Sequence, residues 1–235
     1  MSHSLKDNFA EVHARIDAAA RAAGRDPGSV TLLAVSKTFD AATVAQAAAI
    51  GQNAFGENYV QEALGKIAAL RPDWPDLQWH FIGPLQSNKT REIAAQFDWV
   101  HGIDRLRIAE RLSVQRPPER PPLQVCIQVN VDAEASKSGV APQDAPALAA
   151  AVARLPNLVL RGLMCIPEPR AGIAAQREPF SRLRALRDAI VREQGLALDT
   201  LSMGMSADLE AAIHEGATIV RIGSALFGAR PRRDA

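Results

Sequence analysis

Cysteine is nearly missing: two of the 235 residues, Cys126 and Cys165, carry a thiol. Both sit inside apolar, strand-like runs with no metal-ligand spacing between them. That argues against a disulfide framework or a thiolate metal centre and reads as reduced packing residues of a cytosolic protein. An excess of charge is missing too. With 27 basic and 26 acidic residues the formal net charge is +1, so the electrostatic footprint of a protein that grips nucleic acid or an anionic membrane is not there. Long apolar runs are lacking, residues 147–153 being typical of the longest, and the first 24 residues carry Asp7, Glu11 and Asp17 where a signal or transit peptide would be apolar or poor in acids. Neither a membrane nor a nucleic acid is expected as a partner. Lysine is scarce, five against 22 arginines, and tyrosine occurs once, as Tyr59. What remains is a chain with 47% hydrophobic and 23% charged residues, long enough to bury its own core and directed by elimination toward small-molecule chemistry.

Hydrophobic periodicity organises the rest. Leu5, Phe9, Val12, Ile16 and Ala19 share one helical face, and Ser4 with Asp7 three residues on resembles a capping box, so a leading helix is expected, stopped by Gly24, Pro27 and Gly28. Short β-rich runs follow at 30–35, 53–55, 78–82, 99–101, 123–131, 158–164, 200–202 and 218–222. Between them lie helical segments at 41–50, 58–70, 87–97, 105–115, 142–155, 174–194 and 206–216. Strand then helix, repeated eight times in a chain near the ~250 residues usual for the fold, predicts an α/β protein made of a single (β/α)8 TIM barrel with an extra N-terminal helix. An open doubly wound sheet is the second choice. Four prolines within 116–122 could mark a domain boundary. Half a barrel of four strands cannot close, however, so residues 1–235 are read as one domain and the proline stretch as a stiff lead-in to the fifth strand.

In such a barrel the strand C-termini carry the active site, and here they are polar. Strand one runs from an apolar stretch into Ser36-Lys37-Thr38. A lysine desolvated in that way has the lowered pKa of an amine that attacks aldehydes, although a rim lysine that snorkels to water fits the position as well. The segment 201–206 leads from strand seven to Ser206, the expected N-cap of the next helix, and Gly223-Ser224 follows strand eight. Glycines and a helix N-terminus after strands seven and eight form the usual barrel phosphate site, against the plainer reading of tight turns. An amine and a phosphate cradle at one mouth suit pyridoxal 5′-phosphate, and Arg221 would face its ring nitrogen, leaving the ring a poor electron sink. His80 reads as a hydrogen-bonded structural residue. His101 with Asp104 is a candidate acid–base pair, and Lys89 and Lys137 are candidate secondary aldehyde acceptors.

Seven segments then carry a resemblance through nearly the whole chain: LLAVSKT at 32–38, FGENYVQE at 55–62, WHFIGPLQSNK at 79–89, VHGID at 100–104, QVNVDAEASKSG at 128–139, LRGLMCIPE at 160–168 and the long run at 201–228. The chain resembles the pyridoxal phosphate homeostasis proteins, whose barrel is similar to the N-terminal domain of alanine racemase. The resemblance implies Lys37 as the Schiff-base lysine and Asn58 beside the cofactor. It implies Ser202, Ser206, Gly223 and Ser224 around the phosphate, Arg221 at the pyridine nitrogen and Met164 near the ring. It also implies a cytoplasmic carrier that buffers pyridoxal phosphate and delivers it to apo enzymes without turnover of its own, expected here as a monomer. Racemases of this fold take a tyrosine base from a further domain, which is not expected in this chain. The competing functions are a pyridoxal-phosphate-dependent racemase, a Schiff-base aldolase and a scaffold for client proteins.

Overall fold

In the computed structural model, residues 4–134 and 138–229 are described. Eight parallel strands pair in chain order and close on themselves: β1 (Thr31–Val35), β2 (Ala54–Glu57), β3 (Gln78–Phe81), β4 (Trp99–Ile103), β5 (Leu123–Gln128), β6 (Leu158–Met164), β7 (Thr200–Ser202) and β8 (Ile219–Ile222), with β8 hydrogen-bonded to β1. The helices are α1 (Leu5–Ala22), α2 (Ala41–Ala49), α3 (Val60–Leu70), α4 (Thr90–Gln96), α5 (Leu106–Gln115), α6 (Ala145–Val152), α7 (Ile173–Gln194), α8 (Leu209–His214) and the short α9 (Ser224–Phe227). This is the expected TIM barrel with its leading helix, and the open sheet is excluded by closure. Strands such as β1 and β8 read as nearly unbroken apolar runs because helices cover one face and the barrel interior the other; four of the five residues of β1 and all four of β8 are buried. No helix among the described residues is long and apolar enough to cross a membrane.

Helix α1 starts where the capping box places it: the Ser4 hydroxyl accepts from the Asp7 N–H and the Asp7 carboxylate from the Ser4 N–H, both at 3.2 Å. Its inner stripe of Phe9, Val12, Ile16 and Ala19 is buried. Asn8 Nδ2 donates to Leu226 O at 2.9 Å, Arg15 pairs with Glu210, and Phe9 meets Phe227 edge to face. The first helix therefore braces the last two, which carry the loops after β7 and β8.

Several boundaries move. β5 stops at Gln128 rather than at 131, because Asn130 N–H turns away to Val140 O and Val140 N–H to Gln128 O. Two strands run further than expected: β2 reaches Glu57 and β4 reaches Ile103, the latter across a register shift between Val100 and Ile103. Ser206 is not the N-cap of α8. That position belongs to Asp208, whose carboxylate accepts the Met205 N–H at 2.6 Å while its own N–H donates to Met205 O. The resulting turn holds Ser206 in the loop, at the barrel mouth.

Candidate functional site

A cavity of about 290 Å³ opens at the C-terminal end of the barrel. Lys37, Asn58, Ser206, Arg221, Gly223 and Ser224 line it, together with Val35, Ile82, Ile166, Met205 and Ala207. Six of the eight residues singled out from the sequence thus share one wall-to-wall space. The other two lie below it. Met164 is fully buried at the end of β6, and the apolar wall on that side is Ile166, two residues further out on the same face. Ser202 is fully buried as well, and it touches the floor of the cavity only through Arg221.

Each polar group is fixed by the element that carries it. Arg221 sits on β8 opposite Leu33 of β1 and is 4% exposed. Its Nη1 donates to Ser202 Oγ and its Nη2 to Cys165 O, each at 2.9 Å, and its N–H ties down Gly204 O. Burial pulls the guanidinium pKa down from its usual value, opposed by the Asp208 carboxylate; a group that starts so high stays protonated. The same burial pushes the thiols of Cys126 and Cys165 up to about 12, so both are inert, as the sequence suggested. Asn58 belongs to the β2–α3 loop and not to the helix. The loop after β3 fits against it so closely that a Cβ on Gly83 would lie 2.4 Å from Asn58 O. The Asn58 Oδ1 atom is shielded from solvent with no partner among the described residues, which marks it as an acceptor or flipped donor waiting for a ligand. Ser206 and Ser224 supply hydroxyls from the loops after β7 and β8, and the first N–H groups of α9 have no acceptor within the helix.

Beneath the cavity runs a chain of hydrogen bonds that sequence reasoning missed. His80 Nδ1 lies 3.0 Å from His101 Nε2, and His101 Nδ1 lies 2.8 Å from Ser202 Oγ, which also accepts from Arg221. Arginine can only donate, so the Ser202 proton goes to His101 Nδ1 and the His101 Nε2 proton to His80 Nδ1; the reverse order leaves the serine hydroxyl with no acceptor. Both imidazoles are neutral. Burial drops His80 to about 3, and burial, then His80, then Arg221 hold His101 well below its usual value. The expected structural role of His80 holds, with its ring stacked on Trp99 at 5.3 Å. The expected pairing of His101 with Asp104 does not: Asp104 turns outward to Arg105, because the ring of His101 points into the barrel toward β7.

A second unforeseen cluster lies beside Lys37. Lys66 of α3 is 4% exposed and donates to Ser36 O at 2.7 Å, Glu57 Oε1 at 2.6 Å and Glu62 Oε1 at 2.7 Å. The signal was present in the sequence: Lys66 falls on the inward stripe of α3 with Val60, Ala63, Ile67 and Leu70, where a lysine without a carboxylate partner would not be tolerated. Lys89 lines a different cavity of about 460 Å³, shared with Tyr59 and Gln86 on the far side of Asn58. Lys137 lies outside the described residues.

An amine, a buried guanidinium, three neutral hydrogen-bonding side chains and an apolar wall make a site for a flat, anionic carbonyl compound. Comparison with known proteins gives the same direction. The family model of the alanine racemase N-terminal domain matches residues 8–231. A pyridoxal phosphate homeostasis protein of Pseudomonas aeruginosa is 66% identical over 97% of this chain and 96% of its own length, and one of Escherichia coli K12 is 53% identical over 97% of each. The solved structure of PipY from Synechococcus elongatus with PLP bound superposes with a TM-score of 0.83 at 36% identity, covering 96% of this chain and all of that one. An alanine racemase from Corynebacterium glutamicum, at 18% identity and a TM-score of 0.67, shares the barrel over 62% of its length. The chain belongs to the pyridoxal phosphate homeostasis proteins, a branch of the alanine racemase N-terminal domain family.

Proposed function

We propose that this chain binds pyridoxal 5′-phosphate in the cavity at the barrel mouth, as a Schiff base on Lys37, and holds it for delivery to apo enzymes in the cytoplasm. Binding the cofactor and serving its homeostasis follow from the family; the lysine and the delivery are our reading of the site. The observation that carries it is the convergence of Lys37 and Arg221 on one small cavity with Ser206, Ser224 and the Asn58 side chain, whose Oδ1 has no partner among the described residues. These residues fit the group. Lys37 offers the amine for the aldehyde, in a reaction that forms a C=N bond and releases water. Ser206, Ser224 and the opening N–H groups of α9 offer donors for a phosphate. Asn58 offers a polar atom for a ring substituent, and Arg221 would set a fixed positive charge against the ring nitrogen.

When bound, pyridoxal phosphate supplies an electron sink for amino-acid chemistry, and this chain does little to use it. Arg221, were the ring nitrogen to lie against it, would disfavour its protonation. Among the described residues that line the cavity, Lys37 and Arg221 are the ionisable ones, so a second base to return a proton on the opposite face is not at hand. His80 and His101 are neutral, buried and committed to each other. The site thus retains the cofactor and leaves exchange of it as the event that matters.

The test is the visible spectrum of the protein loaded with pyridoxal phosphate, followed by borohydride reduction and peptide mapping. The reading expects a Schiff-base band, a label on Lys37, loss of both in Lys37→Ala, and transfer of cofactor to an apo enzyme. Sustained racemisation of L-alanine that disappears in Lys37→Ala would replace the carrier with an enzyme. A label on Lys89 or Lys137 with Lys37 unmodified would show that another lysine holds the aldehyde.

A further inference from the structure

The backbone that presents Lys37 is held in a conformation its own sequence disfavours. Residues Ser36 to Phe39 form a tight turn closed by Phe39 N–H to Ser36 O at 3.1 Å. Lys37 is the second residue of that turn and Thr38 the third, with φ of 72°. Positive φ at that turn position is the place of glycine. A β-branched residue there is an outlier that persists only when its surroundings over-determine it.

The surroundings do so from both sides of Lys37. Lys66 Nζ grips Ser36 O on one side, and Glu62 Oε1 accepts the Thr38 N–H at 2.5 Å on the other. The two grips are joined, because Lys66 also donates to that same Glu62 oxygen at 2.7 Å. Glu57 completes the cluster by accepting from Lys66 and from the Ser36 hydroxyl, the latter at 2.7 Å. All three Lys66 protons are thereby used. Glu57 is fully buried and Lys66 nearly so, so neither can swing out to water without breaking the set. One helix, α3, thus locks the strand end that carries the lysine facing the cavity.

We propose that Lys66 and Glu62 are positioning residues for the cofactor: they clamp the Ser36–Thr38 backbone so that Lys37 is aimed into the cavity. The inference rests on the reading of Lys37 as the Schiff-base lysine and adds to it the device that sets its aim. It also separates the roles of two neighbouring lysines, one presented to the ligand and one consumed as a buried counter-ion.

Glu62 is the safer handle, since its side chain is 20% exposed and its loss leaves Lys66 paired with Glu57. The parent, Glu62→Ala, Glu62→Gln, Lys66→Met and the double variant Glu62→Ala/Thr38→Gly are compared by circular dichroism, by titration with pyridoxal phosphate and by the fraction of Lys37 labelled on borohydride reduction. With the fold intact, Glu62→Ala is expected to weaken binding by about tenfold or more and to lower the labelled fraction, the scale of one strained residue set free. Glu62→Gln keeps an oxygen for the Thr38 N–H and should retain more of both. Glycine at position 38 takes the positive φ without help, so the double variant should recover label that Glu62→Ala lost. Lys66→Met, if it folds, should lose at least as much as Glu62→Ala. Labelling of Glu62→Ala equal to the parent, or no recovery in the double variant, overturns the clamp. A parent not labelled at Lys37, checked against Lys37→Ala, overturns the Schiff-base reading itself, and the clamp with it.

Discussion

Ser202 shows how much one buried hydroxyl can decide. It accepts from Arg221 Nη1 and donates to His101 Nδ1, so it fixes both the pose of the guanidinium under the cavity and the tautomer of the imidazole. Ser202→Ala would strip a buried donor and a buried acceptor of their partner at once. Each such group costs about 1–3 kcal/mol, so urea unfolding should show a loss of roughly 2–6 kcal/mol for the two together; a change below about 0.5 kcal/mol would mean that water replaces the hydroxyl. Ser224 tests a different property. It stands at the exposed edge of the same cavity, where, under the proposed binding mode, an aspartate would face the cofactor's phosphate, and Ser224→Asp should weaken pyridoxal phosphate binding tenfold or more, about 1.4 kcal/mol. The control has to be chosen from the structure. Arg184 looks like a bare helix exterior in the sequence but pairs with the buried Glu215 at 2.9 Å. Arg192, 69% exposed at its side chain and paired with the adjacent Glu193, is the suitable one, and Arg192→Glu should leave affinity unchanged. Equal affinities for Ser224→Asp and Arg192→Glu would place the phosphate elsewhere.

Elements were legible where their burial is written into composition. Strands such as β1 and β8 were legible because both of their faces are covered, which leaves an apolar run with little else to be; α1 was found because Ser4 and Asp7 cap an evident apolar stripe. The ends of elements were less so. Asp208 took the cap expected of Ser206 because a turn at 205–208 competes with the helix, and no periodicity reports that competition. The site divides in the same way. Residues at strand C-termini were visible because the fold puts function there, whereas the His80–His101–Ser202–Arg221 chain joins β3, β4, β7 and β8 across the barrel interior, through contacts up to 101 positions apart, which no spacing encodes. Loop against loop is the sharpest case. The connection after β3 touches the one after β2 at Gly83, where a Cβ would collide with Asn58 O and with Asn58 Cα at 2.8 Å. Both are backbone atoms and cannot yield as a side chain would. Gly83→Ala should therefore push Asn58 off the cavity wall, weakening pyridoxal phosphate binding while leaving far-ultraviolet dichroism intact. Unaltered affinity would show that Asn58 takes no part in holding the ligand.

For the molecule as a whole, two neutral histidines inside the barrel tie stability to pH. An unfolded chain protonates His80 near pH 6.5, but burial in the folded barrel drops that group to about 3, and His101 is held down in the same direction. Between those values the unfolded state binds protons that the folded state refuses, so unfolding becomes easier as pH falls, by about 1.4 kcal/mol per pH unit for each such histidine. Glu57 works against this. Burial raises its carboxyl above the usual range despite Lys66 and Ser36, so the folded state holds a proton that the unfolded state has given up, and that contribution favours the fold on acidification. The histidines are two, and they titrate in the unfolded chain before ordinary carboxylates do. The net expectation is a steady loss of stability from pH 6.5 to pH 5, read as the free energy of unfolding from urea titrations at several pH values. His80→Gln removes one of the two proton sites and should flatten that slope by about 1.4 kcal/mol per pH unit, whatever it does to stability at pH 7. A slope unchanged by the substitution would mean that His80 carries its proton inside the folded barrel, and the neutral chain from Trp99 to Arg221 would have to be redrawn with a second buried charge.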